Sequence, residues 1–321
     1  MRLVRLGSVL LPTQVLRRRR GYRTLKLLRP DVQRALGRYG YVVLSEGLHD
    51  RAVERLVALH AEVAAAEPPD AERFTPLNLW RAPNLDPATR ADLLERMEAE
   101  VSPALGAITL EGAAVSATVF QSKPPSPTSG VDVHQDAILV DERRDFGAYA
   151  WIPLTDVDER NGALYIVPGS HRYAQWPRLP STGNELEHLR SAILREASLL
   201  RVAAGQIVLF DQATWHGSLP NCSGERRVAV GAVIRPRARA SYLAERGPST
   251  PERHLELYRY PSEPDRRSAR DLTDRREHVG QLRCAQMKAS PRSFALTCAL
   301  ERAIRPGAPG VRLEPWSSPG G

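Results

Sequence analysis

At 321 residues, with 42% hydrophobic and 26% charged side chains and a formal net charge of +8, the chain can bury a sizeable core as one large or two small domains. No apolar run approaches the roughly eighteen residues of a membrane helix. Three cysteines, Cys222, Cys284 and Cys298, show no paired metal spacing and leave an odd thiol, which points away from a disulfide framework and toward a reducing cytoplasm.

The positive charge is not spread evenly. Residues 1–30 carry nine basic side chains, among them Arg17, Arg18, Arg19 and Arg20, and no acid, so the remainder is near neutrality. Such an arm suits phosphates, an anionic membrane surface or an organelle address; a solvated terminal extension is the reading preferred here. Lys26, Lys123 and Lys288 are the only lysines, a bias expected of a GC-rich bacterial genome, which weakens the organelle reading.

After the arm, Val32, Ala35, Leu36 and Tyr39 share a helical face, and Gly40 ends the run before a short strand at 41–44. Asp50 is expected to cap a second helix, with Val53, Leu56, Val57, His60, Val63 and Ala64 as its apolar stripe. His60 sits in that stripe and reads as a core histidine. Pro68-Pro69-Asp70 breaks the helix, and 74–83, with Trp80 and Arg81, reads as an irregular loop. Asp86-Pro87 is a cap followed by a first-turn proline; Leu94, Met97 and Val101 make the buried stripe of a third helix expected to end near Pro103.

From residue 108 the texture changes to short runs bounded by Gly, Pro, Asn and Asp. Strands are expected at 113–120, 131–136, 148–154, 163–167, 199–202, 206–210 and 228–234, with a helical insertion near 184–196 carrying Leu186, Leu189 and Ile193. That spacing suggests a sandwich or barrel. The three-proline connection 122–130 reads as a loop at the mouth of a site. Beyond 235 the signal fades; 293–304 reads as a final helix and 306–321 as a mobile tail.

His134 and Asp136 flank one residue, so an extended backbone sends both side chains to one face. One imidazole and one carboxylate form two corners of a 2-His-1-carboxylate triad, which leaves open sites on an octahedral Fe(II). A second histidine, His216, lies between two strand-like runs, with Ser218 two residues on and Arg226 and Arg227 ten and eleven residues on. Asn161-Gly162 and Pro168-Gly169-Ser170-His171 read as turns, and His171 is not assigned as a ligand.

The ordered set of His134 and Asp136, Asn161-Gly162, Pro168 to His171, and His216-Gly217-Ser218 with Arg227 resembles the phytanoyl-CoA dioxygenase family of Fe(II)/2-oxoglutarate oxygenases. The resemblance covers roughly 31–235. It implies a mainly β fold, a double-stranded β-helix of the jelly-roll or cupin-like kind, with N-terminal helices packed outside. The expected organisation is a basic arm at 1–30, an oxygenase domain at 31–237 (helical at 31–105, β core at 106–237) and an extension at 238–321.

The resemblance also assigns chemistry. His134, Asp136 and His216 become the metal ligands, Fe(II) the metal, and 2-oxoglutarate and O2 the co-substrates. Arg227 becomes the partner of the distal carboxylate, which a guanidinium fork suits better than an ammonium, and Ser218 the matching hydroxyl. Gln121 and Trp151 occupy positions where family members touch the co-substrate; Trp151, alternating with Tyr149 and Pro153, reads equally well as core. Related halogenases lack the carboxylate, so Asp136 favours hydroxylation or another oxidation of a small organic substrate, with natural-product tailoring in a bacterial pathway as the expected use. The rival reading is a non-catalytic β-helix whose basic arm binds nucleic acid or membrane.

Overall fold

The computed structural model describes residues 3–6, 9–12, 29–79, 82–109, 113–136, 140, 145, 147–173, 190–237, 241–245, 254–260, 277–283 and 314–315. Arg17 to Arg20, Trp80, Arg81 and the helix expected at 293–304 lie outside them, as does most of the expected tail. Among the described residues no helix is long and apolar enough to cross a membrane.

A two-stranded ladder, β1 (Leu3–Leu6) and β2 (Val9–Pro12), comes first. Helix α1 (Pro30–Tyr39) then starts on a proline and ends at Gly40 with φ of 82°. A side chain at Gly40 would meet His171 Nδ1 at 2.4 Å and Thr214 Oγ1 at 2.7 Å, so both conformation and space require glycine there. Strand β3 (Tyr41–Gly47) follows. Helix α2 (Asp50–Ala66) is capped by His49, whose side chain accepts from the Ala52 amide. Asp50, expected as the cap, is instead in the first turn, where its charge suits the helix dipole. Val57 is a second correction: it is 45% exposed, whereas Leu56, Leu59, His60 and Val63 are buried. One residue past Leu56 is a turn of about 100°, enough to leave the buried stripe.

Part of the expected 74–83 loop is an edge strand, β4 (Thr75–Asn78), where Pro76 is tolerated because an edge can lack one donor. Helix α3 (Pro87–Gly106) begins as expected, with the Asp86 carboxylate accepting from the Ala88 and Thr89 amides. It runs past Pro103, because fully buried Leu105 anchors the last turn in the core.

The barrel is built from β5 (Ala113–Lys123), β6 (Val131–His134), β7 (Ala148–Pro153), β8 (Leu164–Ile166), β9 (Ser198–Leu199), β10 (Gln206–Asp211), β11 (His216–Ser218) and β12 (Arg227–Pro236). Helix α4 (Arg190–Glu196) precedes β9, and 184–189 of the expected insertion lie outside the described residues. Among the described residues all strand pairs are antiparallel. One sheet runs β3-β10-β7-β12-β5-β4. The facing sheet contains β9-β8-β11-β6. Successive strands mostly switch sheets, which is the double-stranded β-helix expected from the sequence.

The larger sheet is buried on both faces. Ile207, Leu209, Ala148, Ala150, Ile152, Val228, Val230, Ala232 and Ile234 pack with Leu56, Leu94, Met97 and Val101 of the helices. The intervening Val208, Phe210, Trp151 and Ala229 turn into the barrel. Double burial explains why these strands read as nearly continuous apolar runs. It also fixes register: with Val228 against the helices, Arg227 faces inward.

Beyond the barrel, β13 (Ser241–Glu245), β14 (His254–Tyr260) and β15 (Glu277–Arg283) form a three-stranded sheet. The short β16 (Glu314–Pro315) extends the smaller barrel sheet beside β9. No strand was expected in this region. The alternation of His254-Leu-Glu-Leu-Tyr was the available signal, with Leu257 buried and Tyr258 and Arg259 outside the core.

Candidate metal centre and co-substrate pocket

His134 and His216 are direct cross-strand partners of β6 and β11, and their rings lie 4.3 Å apart between centroids. Asp136 follows just past the end of β6, held by its amide on the Gln212 carbonyl at 3.0 Å. Its Oδ1 is 3.9 Å from His134 Nε2 and 3.7 Å from His216 Nε2. One donor atom from each of the three lies within 4.8 Å of the others.

The imidazoles are oriented by their other nitrogens. His134 Nδ1 is 2.9 Å from the Asp132 carbonyl and His216 Nδ1 is 3.0 Å from the Thr214 carbonyl. A carbonyl only accepts, so each Nδ1 carries a hydrogen, and each Nε2, on the Asp136 side, is the nitrogen that could coordinate a metal. Cis ligands about 2.1 Å from an octahedral ion are about 3 Å apart, so an inward shift of under an ångström closes the set on a metal. Two neutral imidazoles and one carboxylate fit a divalent ion and leave it net positive.

Local sequence explains how these side chains are held. A side chain at Gly217 would meet the Tyr165 hydroxyl at 2.2 Å and the Val131 carbonyl at 2.6 Å; the missing side chain lets that hydroxyl reach Val131 O, at 3.1 Å. The Pro168-Gly169-Ser170 turn, with Gly169 at φ of 80°, brings Ser170 Oγ to the Trp215 amide at 2.8 Å. That bond braces the residue before His216, and Phe210 packs on the His216 ring, 4.5 Å between centroids.

A second polar region lies farther along the inner face of the larger sheet. Arg227 is 2% exposed; Nη2 donates to the Gly162 carbonyl at 3.3 Å, and its guanidinium sits 5.3 Å from the Trp151 ring centroid. Nε and Nη1 are buried with no hydrogen-bond partner among the described residues. Burial alone pulls its pKa down to about 9, which leaves it charged at neutral pH. Arg226 faces the other way, donating to Ser122 Oγ and the Asp70 carbonyl. Ser218 is buried on β11, two residues from His216. Trp151 Nε1 donates to Gln121 Oε1 at 3.0 Å, and Gln121 Nε2 donates to the Tyr149 hydroxyl at 3.1 Å.

Four residues to which the sequence reading gave no part in this site shape the polar region around Arg227 and Trp151. Lys123 is the direct cross-strand partner of Arg227 and is fully buried; its Nζ donates to the Ser129 and Leu219 carbonyls. Asn221 ties the same region together, its Nδ2 donating to the Lys123 and Glu225 carbonyls. Gly162 makes the room: at φ of 91°, an added side chain would meet Lys123 Cδ at 2.5 Å. Tyr149, the fourth, shares the inward face of β7 with Trp151 and is the cross-strand partner of Phe210. A buried lysine directly opposite a buried arginine has no pattern in one sequence, because the register of β5 and β12 creates it.

Desolvation, and after it the charge on Arg227, lower the Lys123 pKa from 10.5 to about 6. The unfolded chain keeps that proton up to about pH 10.5 while the folded chain releases it near 6, so the unfolded state binds more protons between these limits. Stability is therefore expected to rise with pH across that window, with the full penalty present below it. Urea denaturation from pH 6 to 9 should show this slope, reduced in Lys123→Met. An unchanged slope in the variant would contradict it.

Fold and site together define the class, a jelly-roll barrel enclosing a His/Asp/His cluster able to hold one metal ion. The chain belongs to the phytanoyl-CoA dioxygenase (PhyH) family, whose model matches residues 36–229. It is 29% identical over 117 residues to the uncharacterized proteins Rv1501 of Mycobacterium tuberculosis and Mb1539 of Mycobacterium bovis, 35% of this chain. The match covers only 38% of the length of each of these relatives. Among solved structures, it resembles the non-heme alpha-ketoglutarate-dependent carbocyclase SnoK from nogalamycin biosynthesis (22% identity, 67% of this chain and 86% of that one, TM-score 0.49). It also resembles EvdO2 of Micromonospora carbonacea var. aurantiaca, complexed with 2-oxoglutarate (18% identity, 66% and 92%, TM-score 0.45).

Proposed function

We propose that the chain is an Fe(II)/2-oxoglutarate-dependent oxygenase acting on a C–H bond of a small organic substrate, with hydroxylation as its outcome and natural-product tailoring as its use. The carrying observation is the gathering of His134, Asp136 and His216 donor atoms within 4.8 Å of one another inside the barrel, in a chain of the PhyH family.

His134 and His216 would hold the iron through Nε2 and Asp136 through its carboxylate. Bound there, the iron supplies the dioxygen chemistry that couples oxidative decarboxylation of 2-oxoglutarate, to succinate and CO2, to substrate oxidation. The protein contributes binding and orientation. Arg227 would receive the distal carboxylate in a dry pocket, where a guanidinium with two unpartnered donors gains most from a bidentate anion. Ser218 would add a hydroxyl donor. Trp151, stacked under Arg227, keeps water from that ion pair, and Gln121 fixes the Trp151 ring by its hydrogen bond.

The test is succinate formation from 2-oxoglutarate. It is expected with Fe(II) and air and expected to stop under nitrogen or with a chelator. Turnover indifferent to iron or to oxygen would overturn the assignment.

A further inference from the structure

We infer that the Tyr149 hydroxyl is a built-in hydrogen-bond donor to the metal-side end of the co-substrate, held for that purpose by Gln121. This rests on the 2-oxoglutarate reading above and adds a positioning residue that neither the family resemblance nor the triad supplies.

The observations come from four strands. Tyr149 shares the inward face of β7 with Trp151, two residues away, and is the direct cross-strand neighbour of Phe210, whose ring packs on His216. Gln121 of β5 donates to the Tyr149 oxygen at 3.1 Å, so the phenol accepts there and its own hydrogen points elsewhere. No protein acceptor takes that hydrogen among the described residues. A phenol ordinarily titrates near pH 10, so at neutral pH the group has a hydrogen to donate.

Gly231 on β12, beside the register shift between Gly231 and Ala232, makes the room that the hydroxyl occupies. It stands inside a ten-residue strand, where glycine weakens the strand and marks a close approach. Its missing side chain would lie 1.7 Å from the Tyr149 oxygen and 2.7 Å from Cζ. The sheet thus leaves room for this hydroxyl at the expense of strand propensity. Tyr149 is also only partly buried, like Gln121, His134 and Asp136, although all four point into the barrel. A polar strip runs from Asp136 through Tyr149, Gln121 and Trp151 to Arg227. A 2-oxo diacid is polar at both ends: Arg227 matches one end, and Tyr149, with a donor to give, matches the other.

The test is calorimetric titration of 2-oxoglutarate into Mn(II)-loaded protein without air, for wild type, Tyr149→Phe and Gln121→Leu. Tyr149→Phe keeps the ring and removes only the hydroxyl, and is expected to weaken 2-oxoglutarate about tenfold while Mn(II) affinity and the melting temperature hold. Gln121→Leu, which frees both the phenol and the Trp151 indole, is expected to weaken it more in the wild-type background than in the Tyr149→Phe background. Wild-type binding matched by Tyr149→Phe overturns this inference alone. Wild-type protein that takes up Mn(II) but no 2-oxoglutarate overturns the oxygenase reading and this inference with it.

Discussion

His216→Ala is expected to lower the affinity for Fe(II) by more than about 100-fold and to reduce 2-oxoglutarate-dependent succinate formation to background. Removing a group that merely orients a metal ligand costs roughly 10- to 100-fold in affinity, and His216 is proposed as a ligand itself. The substitution also deletes the ring between Phe210 and His134, so His134→Ala is the companion variant: its imidazole is about one-fifth exposed and less enclosed. Metal content after gel filtration and succinate by chromatography are the readouts. Retention of full iron loading by both variants would remove the triad as the metal centre.

Arg227→Met is expected to raise the KM for 2-oxoglutarate by about 150- to 4000-fold, since truncating one side of a buried charge pair costs roughly 3–5 kcal/mol. Arg226→Met, whose guanidinium lies outside the barrel on Ser122 and Asp70, is expected to change it less than about threefold. The same arginine should show an opposite effect on stability. Without a bound anion, Arg227 is a buried charge with two unpartnered donors, directly opposite Lys123, so Arg227→Met is expected to melt at higher temperature than wild type when no 2-oxoglutarate is present. Added 2-oxoglutarate, with metal, should raise the melting temperature of wild type and leave the variant's unmoved. Equal KM effects at 226 and 227 would mean that the inward arginine has another task.

The barrel was legible because β7, β10 and β12 are buried on both faces, so their apolar runs stand out between glycine and proline punctuation. The triad was legible because two ligands share one short motif and the third sits in a second, His216-Gly217-Ser218, whose glycine is demanded by the Tyr165 hydroxyl. What escaped were features that only three-dimensional register creates. β4 was hidden by Pro76, which reads as a breaker until an edge position makes it harmless. α3 outran Pro103 because burial of Leu105 outweighs one lost amide. The pairing of Lys123 with Arg227, and the room that Gly231 leaves for Tyr149, join residues more than eighty positions apart. Resemblance singles out Gln121 and Trp151 as expected co-substrate contacts, but their bond to each other, and its extension to Tyr149, depend on which face of each strand turns inward.

The most direct test of the central claim is an anaerobic titration of the protein with Fe(II) and then 2-oxoglutarate, followed by visible absorption. If His134, Asp136 and His216 together hold one ferrous ion that chelates the 2-oxo acid, a charge-transfer band should grow to saturation at one equivalent of each and be missing in His134→Ala. No band in the wild-type protein, or one of equal strength in His134→Ala, would contradict the account.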